Sequence, residues 1–300
     1  MAIRLKGGTV RGSIYGAAAY GGASFDRKFV MTGGSVSGWI AGGANGTRED
    51  GGALYGASYV YIGGKTKVDS ENSSSVINRA VGGNVFGAGC GFGTSSSSGQ
   101  VYDGTNVALA DEAYVERGVY GGGSYGYTTN TSNIHVLGGH VGGKNGGVNG
   151  TTYQANITGG VFGGACQNQG GTVNITMTNG LVEGGVYGGS NTSGTISGNV
   201  TMNINGGQVG TSSANANIHG GGYGSATRVS QNVDITLGTT TQTTPGVTVY
   251  GDVYGGSALG YVNGTAATNT YHTYVTLNKG IINGSHYGGG LGDANTAANV

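Results

Sequence analysis

Two stretches of the chain decide how it folds. Residues 233–237 are Val-Asp-Ile-Thr-Leu, and residues 247–257 are Val-Thr-Val-Tyr-Gly-Asp-Val-Tyr-Gly-Gly-Ser. In the first stretch apolar residues alternate with polar ones, which is typical of a β-strand with one buried and one solvated face. The second ends in a tyrosine followed by glycines and a serine, a combination that recurs along the chain. We therefore predict short strands that are joined at glycine-rich corners.

The recurring signature is an aromatic residue, a glycine and two small residues. Nine copies occur, and 272 residues over eight intervals separate the first from the last, a mean of 34. A repeat of about 20–50 residues with short strands indicates a solenoid, so we predict an all-β parallel β-helix of about nine glycine-rich repeats. One coil or two coils per repeat both fit; at about 4.8 Å per coil, nine coils make a rod roughly 40 Å long. The aromatic positions are Tyr15, Tyr55, Phe86, Tyr120, Phe162, Tyr187, Tyr223, Tyr254 and Tyr287.

Composition excludes several other classes of protein. Of 300 residues, 70 are glycine and one is proline, 9% are charged, and the formal net charge is zero. Collagen requires abundant proline and a strict Gly-X-Y period, and interior glycines destabilise helical bundles. A nucleic-acid-binding protein requires a basic surface, so we expect no nucleic-acid partner. The chain contains no apolar run of about 18 residues, so we expect no membrane-spanning helix.

Charge is unevenly distributed along the repeat. Residues 1–120 carry 19 of the 26 charged side chains and contain the longer charged loops, whereas residues 121–300 are charge-poor. Because the signature runs through both parts, we interpret residues 1–300 as one β-solenoid segment, a part of a longer chain. Such a solenoid exposes strand edges at its two ends. We therefore expect further coils in the full chain or end-to-end self-association.

Strand alternation predicts the side of the sheet on which the signature rings lie. Successive side chains face opposite ways, so Tyr254 shares a face with Asp252 and opposes Val253. We predict an outward column of rings that stack on sugars, pack on a partner or lie under a loop, against the alternative of a purely structural ladder. The binding hypothesis requires most rings to be accessible. The candidate ligand-binding residues are Tyr15, Tyr55, Tyr120, Tyr187, Tyr223, Tyr254 and Tyr287.

No residue pattern indicates catalysis, a metal or a cofactor. The five histidines lack zinc-ligand spacing, and His286 occupies a core-edge position normally held by valine. The acidic clusters are Glu49-Asp50, beside Arg48, and Asp111-Glu112 with Glu116, beside Arg117. We interpret them as solvated charge patches. The alternative is a polysaccharide lyase or glycosidase on a β-helix scaffold, which would need converging carboxylates.

The two cysteines allow a geometric prediction. Cys90 and Cys166 lie four residues after Phe86 and Phe162, and one repeat, with Ser124 in that place, separates them. Two coils amount to about 9–10 Å, beyond the range of about 4.4–6.8 Å between the Cα atoms of a disulfide. We therefore predict free, partly buried thiols.

The elements Val-Tyr-Gly-Gly-Ser at 186–190 and Gly-Gly-Ala-Leu-Tyr-Gly at 51–56, together with the Thr-rich strands, carry a resemblance that covers essentially the whole chain. They resemble glycine-rich parallel β-helix surface proteins of bacteria, namely autotransporter passengers and adhesin-type repeat proteins. The resemblance implies an extracellular or outer-membrane-attached location, a role in adhesion or as a stalk, and surface glycans or a neighbouring cell surface as partners. It carries over no catalytic residue.

Two further alternatives follow from the same composition. An ice-binding face would need a flat, regular array of threonines, and Thr-x-Thr matches are few and out of phase. A sandwich of polyglycine helices would need longer glycine runs, and no run here exceeds three residues. We rank both below the β-helix of an adhesive or stalk-like surface protein.

Overall fold

The chain folds as a parallel β-solenoid. The computed structural model describes residues 1–19, 21–46, 52–68, 83–91, 98–142, 159–243, 245–263 and 270–292. The named strands pair in parallel, each with its equivalent in the coil before and the coil after. The predicted parallel β-helix is confirmed. Each repeat forms a single coil, because nine repeats give nine equivalent strands in the nine-stranded sheet. Within the described residues no helix is long and apolar enough to cross a membrane.

The widest side of the solenoid is a 15-stranded sheet. Its first rank begins each coil and is rich in alternating apolar and Thr/Asn residues. The strands of this rank are β1 (Ala2–Val10), β3 (Arg27–Val36), β5 (Ser58–Val68), β7 (Thr105–Leu109), β10 (Ser132–Val136), β13 (Val173–Met177), β17 (Val200–Ile204), β21 (Val233–Leu237) and β24 (Thr273–Leu277).

A second rank of short strands belongs to the same sheet. This rank begins at the second half of the long strand β5, because β5 pairs with β7 through its first half and with β8 through its second half. The short strands are β8 (Tyr114–Val115), β11 (His140–Val141), β14 (Leu181–Val182), β18 (Gln208–Val209), β22 (Val247–Val249) and β25 (Gly280–Ile282). The segment 108–117, which reads from sequence as either helix or strand, thus contributes to strands β7 and β8.

The nine-stranded sheet carries the aromatic-glycine signature, one strand per coil. A third, two-stranded sheet consists of β16 (Ser193–Ile196) and β20 (Ala226–Val229). The nine strands are β2 (Ile14–Tyr15), β4 (Ile40–Ala41), β6 (Val85–Phe86), β9 (Val119–Tyr120), β12 (Val161–Phe162), β15 (Val186–Tyr187), β19 (Ile218–His219), β23 (Val253–Tyr254) and β26 (His286–Tyr287).

The hydrophobic core runs along the inside of the coils. In the inner coils of the long sheet every second side chain of the first rank points inward and is buried, as at Ile134, Ile175 and Ile235. The register places Ile134 opposite Ile175, so like residues stack on like along the axis. Burial of such side chains contributes about 1.5–3 kcal/mol each, which explains how short strands hold a stable coil.

Glycines at the coil corners have two different causes. The pairs Asn179-Gly180, Gly206-Gly207 and Asn283-Gly284 in the sequence predict tight turns with a positive φ at the second residue, and Pro245-Gly246 predicts a type II turn. Gly180 and Gly207 do adopt φ of +99° and +85°. Gly284 and Gly246 do not have a positive φ, so these two predictions are wrong. A Cβ on Gly246 would lie 2.2 Å from the carbonyl oxygen of Lys279, so close packing selects this glycine.

The glycine after each signature ring is also required by packing. A Cβ on Gly188 would lie 2.1 Å from the carbonyl oxygen of Gly220, the equivalent residue of the next coil. The same contact recurs from Gly16 through Gly255, whereas a Cβ on Gly288, in the last described coil, meets nothing within 4 Å. Adjacent coils therefore approach too closely at this row for any side chain.

Candidate functional site

The candidate site predicted from sequence is the column of signature rings, and the structure forms it as a stacked ladder. Seven rings follow one another on consecutive coils, with centroids 4.7–5.1 Å apart. This separation equals the strand spacing of a parallel sheet and lies within the range of offset aromatic stacks. The rings are Phe86, Tyr120, Phe162, Tyr187, His219, Tyr254 and Tyr287.

Two predicted members of the column lie elsewhere. The register places Ala41 and His219 in the row, and not Tyr55 and Tyr223. Trp39 packs edge-on against Phe86 at 5.9 Å, beside the gap that Ala41 leaves. Sequence reasoning missed both positions because it required an aromatic residue. The pattern of an isoleucine, any residue and two glycines, as in Ile-His-Gly-Gly at 218–221, would have found them.

The prediction that the signature rings are accessible to solvent is wrong for most of them. Tyr120, Tyr187 and Tyr254 are buried, and so are Phe86 and Phe162. The predicted parity itself is confirmed, because Val253 lies in the main core and the Tyr254 hydroxyl donates to Asp252 Oδ2 at 2.9 Å on the other side.

The buried rings belong to a second apolar cluster, together with residues of the segments that follow them. It forms where the chain that follows the signature glycines folds back over the nine-stranded sheet. Cys90, Cys166 and Ala258 are buried in this cluster, and Leu259 packs against it. The column was predicted to stack on sugars, to pack on a partner or to lie under a loop. The structure favours the third role, because the buried rings offer no face to a sugar.

The remaining predicted tyrosines have mixed exposure. Tyr15 and Tyr223 are half-buried against the covered cluster, and the Tyr223 ring meets Tyr187 edge-on at 5.9 Å. Tyr287 is exposed on the last described coil. Tyr55 is 54% exposed and stacks on Tyr102 in a separate pair with centroids 4.9 Å apart.

Burial shifts the pKa values of the covered groups. Desolvation raises the pKa of the Tyr120 hydroxyl, which accepts a hydrogen bond from Asn191 Nδ2 at 3.0 Å. Burial, helped by the hydrogen bond to Asp252, raises the pKa of Tyr254 to about 12. Desolvation lowers the pKa of His219 to about 3, against the opposing charge of Asp252. The His219 Nδ1 is buried without a hydrogen-bond partner among the described residues.

The outer face of the long sheet presents a second repeated array. Asn106, Asn133 and Asn174 occupy one row, in which the Nδ2 atoms of Asn133 and Asn174 each donate to the Oδ1 of the asparagine one coil before, at 3.0 and 2.9 Å. Thr201 and Asp234 continue the row. The parallel row two residues further along the strands contains Ala108, His135, Thr176, Asn203 and Thr236, and all ten side chains are half-buried.

The acidic clusters that could supply converging carboxylates have other partners where the structure describes them. Asp111 Oδ2 accepts a hydrogen bond from the Gly64 amide at 2.9 Å, and Glu116 is buried. The other predicted pair, Glu49-Asp50, lies outside the described residues. Among the described residues no group of three His, Cys, Asp or Glu side chains could hold a metal ion.

The histidines and cysteines behave as structural residues. His140 Nε2 lies 2.9 Å from Glu183 Oε1, and His286 takes the row position of Val253 in the next coil, as predicted. Cys90 and Cys166 form no disulfide, as predicted, and both are buried. Burial raises the pKa of Cys166 to about 12, so the thiolate is scarce at neutral pH.

Comparison with known proteins gives no independent assignment. No family model matches the chain, and neither the curated proteins nor the solved structures include a significant match. The fold is therefore established by the strand pairing itself, and the function has to be argued from the surfaces of this chain.

Proposed function

We propose that this chain is a stalk-like structural segment of a bacterial cell-surface protein of the adhesin type, which makes multivalent contacts with carbohydrate. The observation that carries the proposal is the hydrogen-bonded stacking of nine parallel coils, each on the one before. Nine coils at about 4.8 Å give a rod roughly 40 Å long. A rod that repeats the same surface every coil is suited to spacing and to repeated weak contacts.

Three sets of contacts along the axis support a stiff rod. Backbone hydrogen bonds join every pair of neighbouring coils in the long and nine-stranded sheets. The aromatic ladder adds ring stacking on one side, and the asparagine row adds side-chain amide bonds on another. Each set connects only adjacent coils, which is the organisation that gives solenoids their nearest-neighbour stability.

The outer face of the first rank of strands in the long sheet is the surface that we propose for contact. Its two rows carry amide, hydroxyl and carboxylate groups on successive coils, with few charges. Such groups donate to and accept from sugar hydroxyls. Several weak sites on one rigid face bind a repeating polymer more tightly than any one site binds alone.

End-to-end association extends the proposal to a protein partner. On the last described coil Leu277, Ile281 and Tyr287 are exposed, whereas their equivalents on inner coils lie against the next coil. We propose that these side chains pack against another coil of the same kind.

The test compares two double variants on the same two coils. Asn203→Ala/Thr236→Ala removes polar groups from the proposed face, on β17 and β21. Gln208→Ala/Thr248→Ala removes polar groups from the second rank, on β18 and β22. On a polysaccharide and glycan array, we expect the first variant to lose most of the avidity and the control to keep it. Equal loss in both variants, or no retention of the wild type, would contradict the proposed contact surface.

A further inference from the structure

A second aromatic stack lies on the surface, away from the ladder. The rings of Tyr55 and Tyr102 are 4.9 Å apart and 12° from parallel. They are 54% and 38% exposed. A stacked pair of aromatic rings that remains open to solvent is a candidate interaction site, because exposed apolar patches mark such sites.

The backbone shows where this stack would continue. Leu54 pairs with Val101, and the Val101 amide donates to the carbonyl of Tyr127 at 2.9 Å, which places Thr128 next in that row. One residue further along each strand, Tyr55, Tyr102 and Thr129 therefore occupy three successive coils. The third of these positions holds the small side chain of Thr129, so the stack of Tyr55 and Tyr102 has no third ring.

Only one face of the open stack is free. Beneath Tyr55 lies Gly22, whose added Cβ would come within 2.7 Å of the Tyr55 ring. The Tyr55 ring is thus closed between Gly22 and Tyr102. The second face of Tyr102 is directed toward the coil of Thr129, and Thr129 is exposed together with Asn130.

We propose that this third position binds one pyranose ring of a saccharide, stacked on Tyr102. The proposal rests on the carbohydrate contact proposed above and names a specific subsite for it. The apolar C–H face of a pyranose lies against the electron-rich face of a tyrosine ring. Around the ring, the Thr129 hydroxyl, the Asn130 amide and the exposed Asp103 carboxylate supply donors and acceptors for sugar hydroxyls.

The size and polarity of the subsite favour a saccharide over a protein. A stable protein interface buries roughly 800 Å² on each partner, far more than two half-exposed tyrosines offer. A single ring at one coil spacing fits the open position. The exposed residues next to the open position in the chain carry hydroxyl, amide and carboxylate groups, which match a ring substituted with hydroxyls better than an apolar peptide.

Saturation-transfer NMR on the whole chain tests the subsite. The probes are oligosaccharides of glucose, galactose, mannose and N-acetylglucosamine at millimolar concentration. We expect Tyr102→Ala to weaken binding about tenfold and Tyr102→Phe to preserve it, because the phenyl face is retained. Thr129→Tyr should abolish binding with the fold intact by circular dichroism, because its ring fills the open position.

Tyr261→Ala is the matched control. Tyr261 is 38% exposed, as Tyr102 is, but it lies beside Arg228 on a later coil and outside the polar rows of the long sheet. Its removal should leave binding unchanged. Undiminished binding in Thr129→Tyr, or equal loss in Tyr261→Ala, would overturn the inference.

The outcomes separate this inference from the proposed function. If saccharides bind, and Asn203→Ala/Thr236→Ala weakens binding while Tyr102→Ala does not, the polar face carries the contact and the tyrosine subsite is refuted. If no saccharide binds at all, both fail. If an apolar peptide binds in place of sugars and Thr129→Tyr blocks it, the open position exists but the assigned ligand class is wrong, which also overturns the inference.

Discussion

The buried ladder and the open Tyr55–Tyr102 pair contain the same kind of rings at the same spacing. Centroids are 4.7–5.1 Å apart in the ladder and 4.9 Å apart in the pair. The two stacks differ in their surroundings: most ladder rings are buried in a second apolar cluster, whereas the two rings of the pair are partly open to solvent. In-register coils are therefore sufficient for stacking, and the neighbouring loops decide whether the rings serve stability or remain available for binding.

The length of chain after each ring explains the difference. Residues 163–172 separate Phe162 from the next long strand, and this segment folds back over the rings with Cys166. Only two residues separate Tyr55 from β5 and Tyr102 from β7. With no loop after them, these two rings have no cover from their own chain segment.

The largest expected effect contrasts one ring from each stack. Phe162→Ala should lower the free energy of unfolding by about 3–5 kcal/mol, because it empties a fully buried position between Tyr120 and Tyr187. Tyr55→Ala, the control, should cost less than about 1 kcal/mol because its ring is half in water. Denaturant unfolding measures both. Similar losses of unfolding free energy in the two variants would mean that burial by neighbouring segments does not distinguish the two stacks.

A smaller effect tests the glycine row beside the ladder. Gly188→Ala should destabilise the chain by about 2–3 kcal/mol, because the new methyl group collides with the carbonyl of Gly220 and with Val200. Gly288→Ala should be neutral or slightly stabilising, since nothing lies within 4 Å and its φ is not positive. Thermal and denaturant unfolding of the two variants provide the comparison.

The Gly288 variant also reports on the last coil. Should Gly288→Ala prove as damaging as Gly188→Ala, some other coil must pack on this row in solution. That outcome would support the proposed end-to-end contact and would contradict an open row. Light scattering of the wild type and of Gly288→Ala would then show whether the substitution disrupts an assembly.

The smallest effect at neutral pH concerns His219, the one imidazole in the ladder. His219→Phe should stabilise the chain by about 1 kcal/mol at pH 7, because it removes the buried, unpartnered Nδ1 and retains a stacked ring. The advantage should grow in acid and reach about 2 kcal/mol more at pH 5. Denaturant midpoints at pH 7 and pH 5 measure it.

The sign of this pH dependence follows from the direction of the shift. The folded-state pKa of His219 is about 3, below the unfolded value of about 6.5. Between these two pH values the unfolded chain binds the proton and the folded chain does not, so the wild type loses stability as pH falls through this window. Other titrating groups are common to both proteins. A difference between variant and wild type that is independent of pH would show that His219 is not buried as described.

Much of the fold was predictable because it depends on local patterns. Alternation at 233–237 fixes which side chains enter the core, and Gly180 and Gly207 adopt the positive φ expected of their turns. The separation of Cys90 from Cys166 by a whole coil is enough to predict free thiols. Each of these conclusions needs only the strand period and the spacing between coils.

The candidate site was less predictable because register and cover are not local. A search for aromatic residues placed Tyr55 and Tyr223 in the ladder and omitted His219, since the sequence does not show which segments hydrogen-bond across a coil. The alternation of side chains correctly placed Tyr254 on the opposite side of its strand from Val253. Alternation within a strand cannot show, however, that the segment after the strand, more than ten residues long, folds back over the ring.

By itself, the sequence determined a stack of parallel coils: period-two strands require a buried face, and a bare glycine backbone is what lets consecutive coils approach within contact of each other's carbonyls. The tertiary structure alone decided which rings stack and which are exposed. Those outcomes depend on the alignment of whole coils and on where the intervening loops lie, and both are set by contacts between residues far apart in the chain.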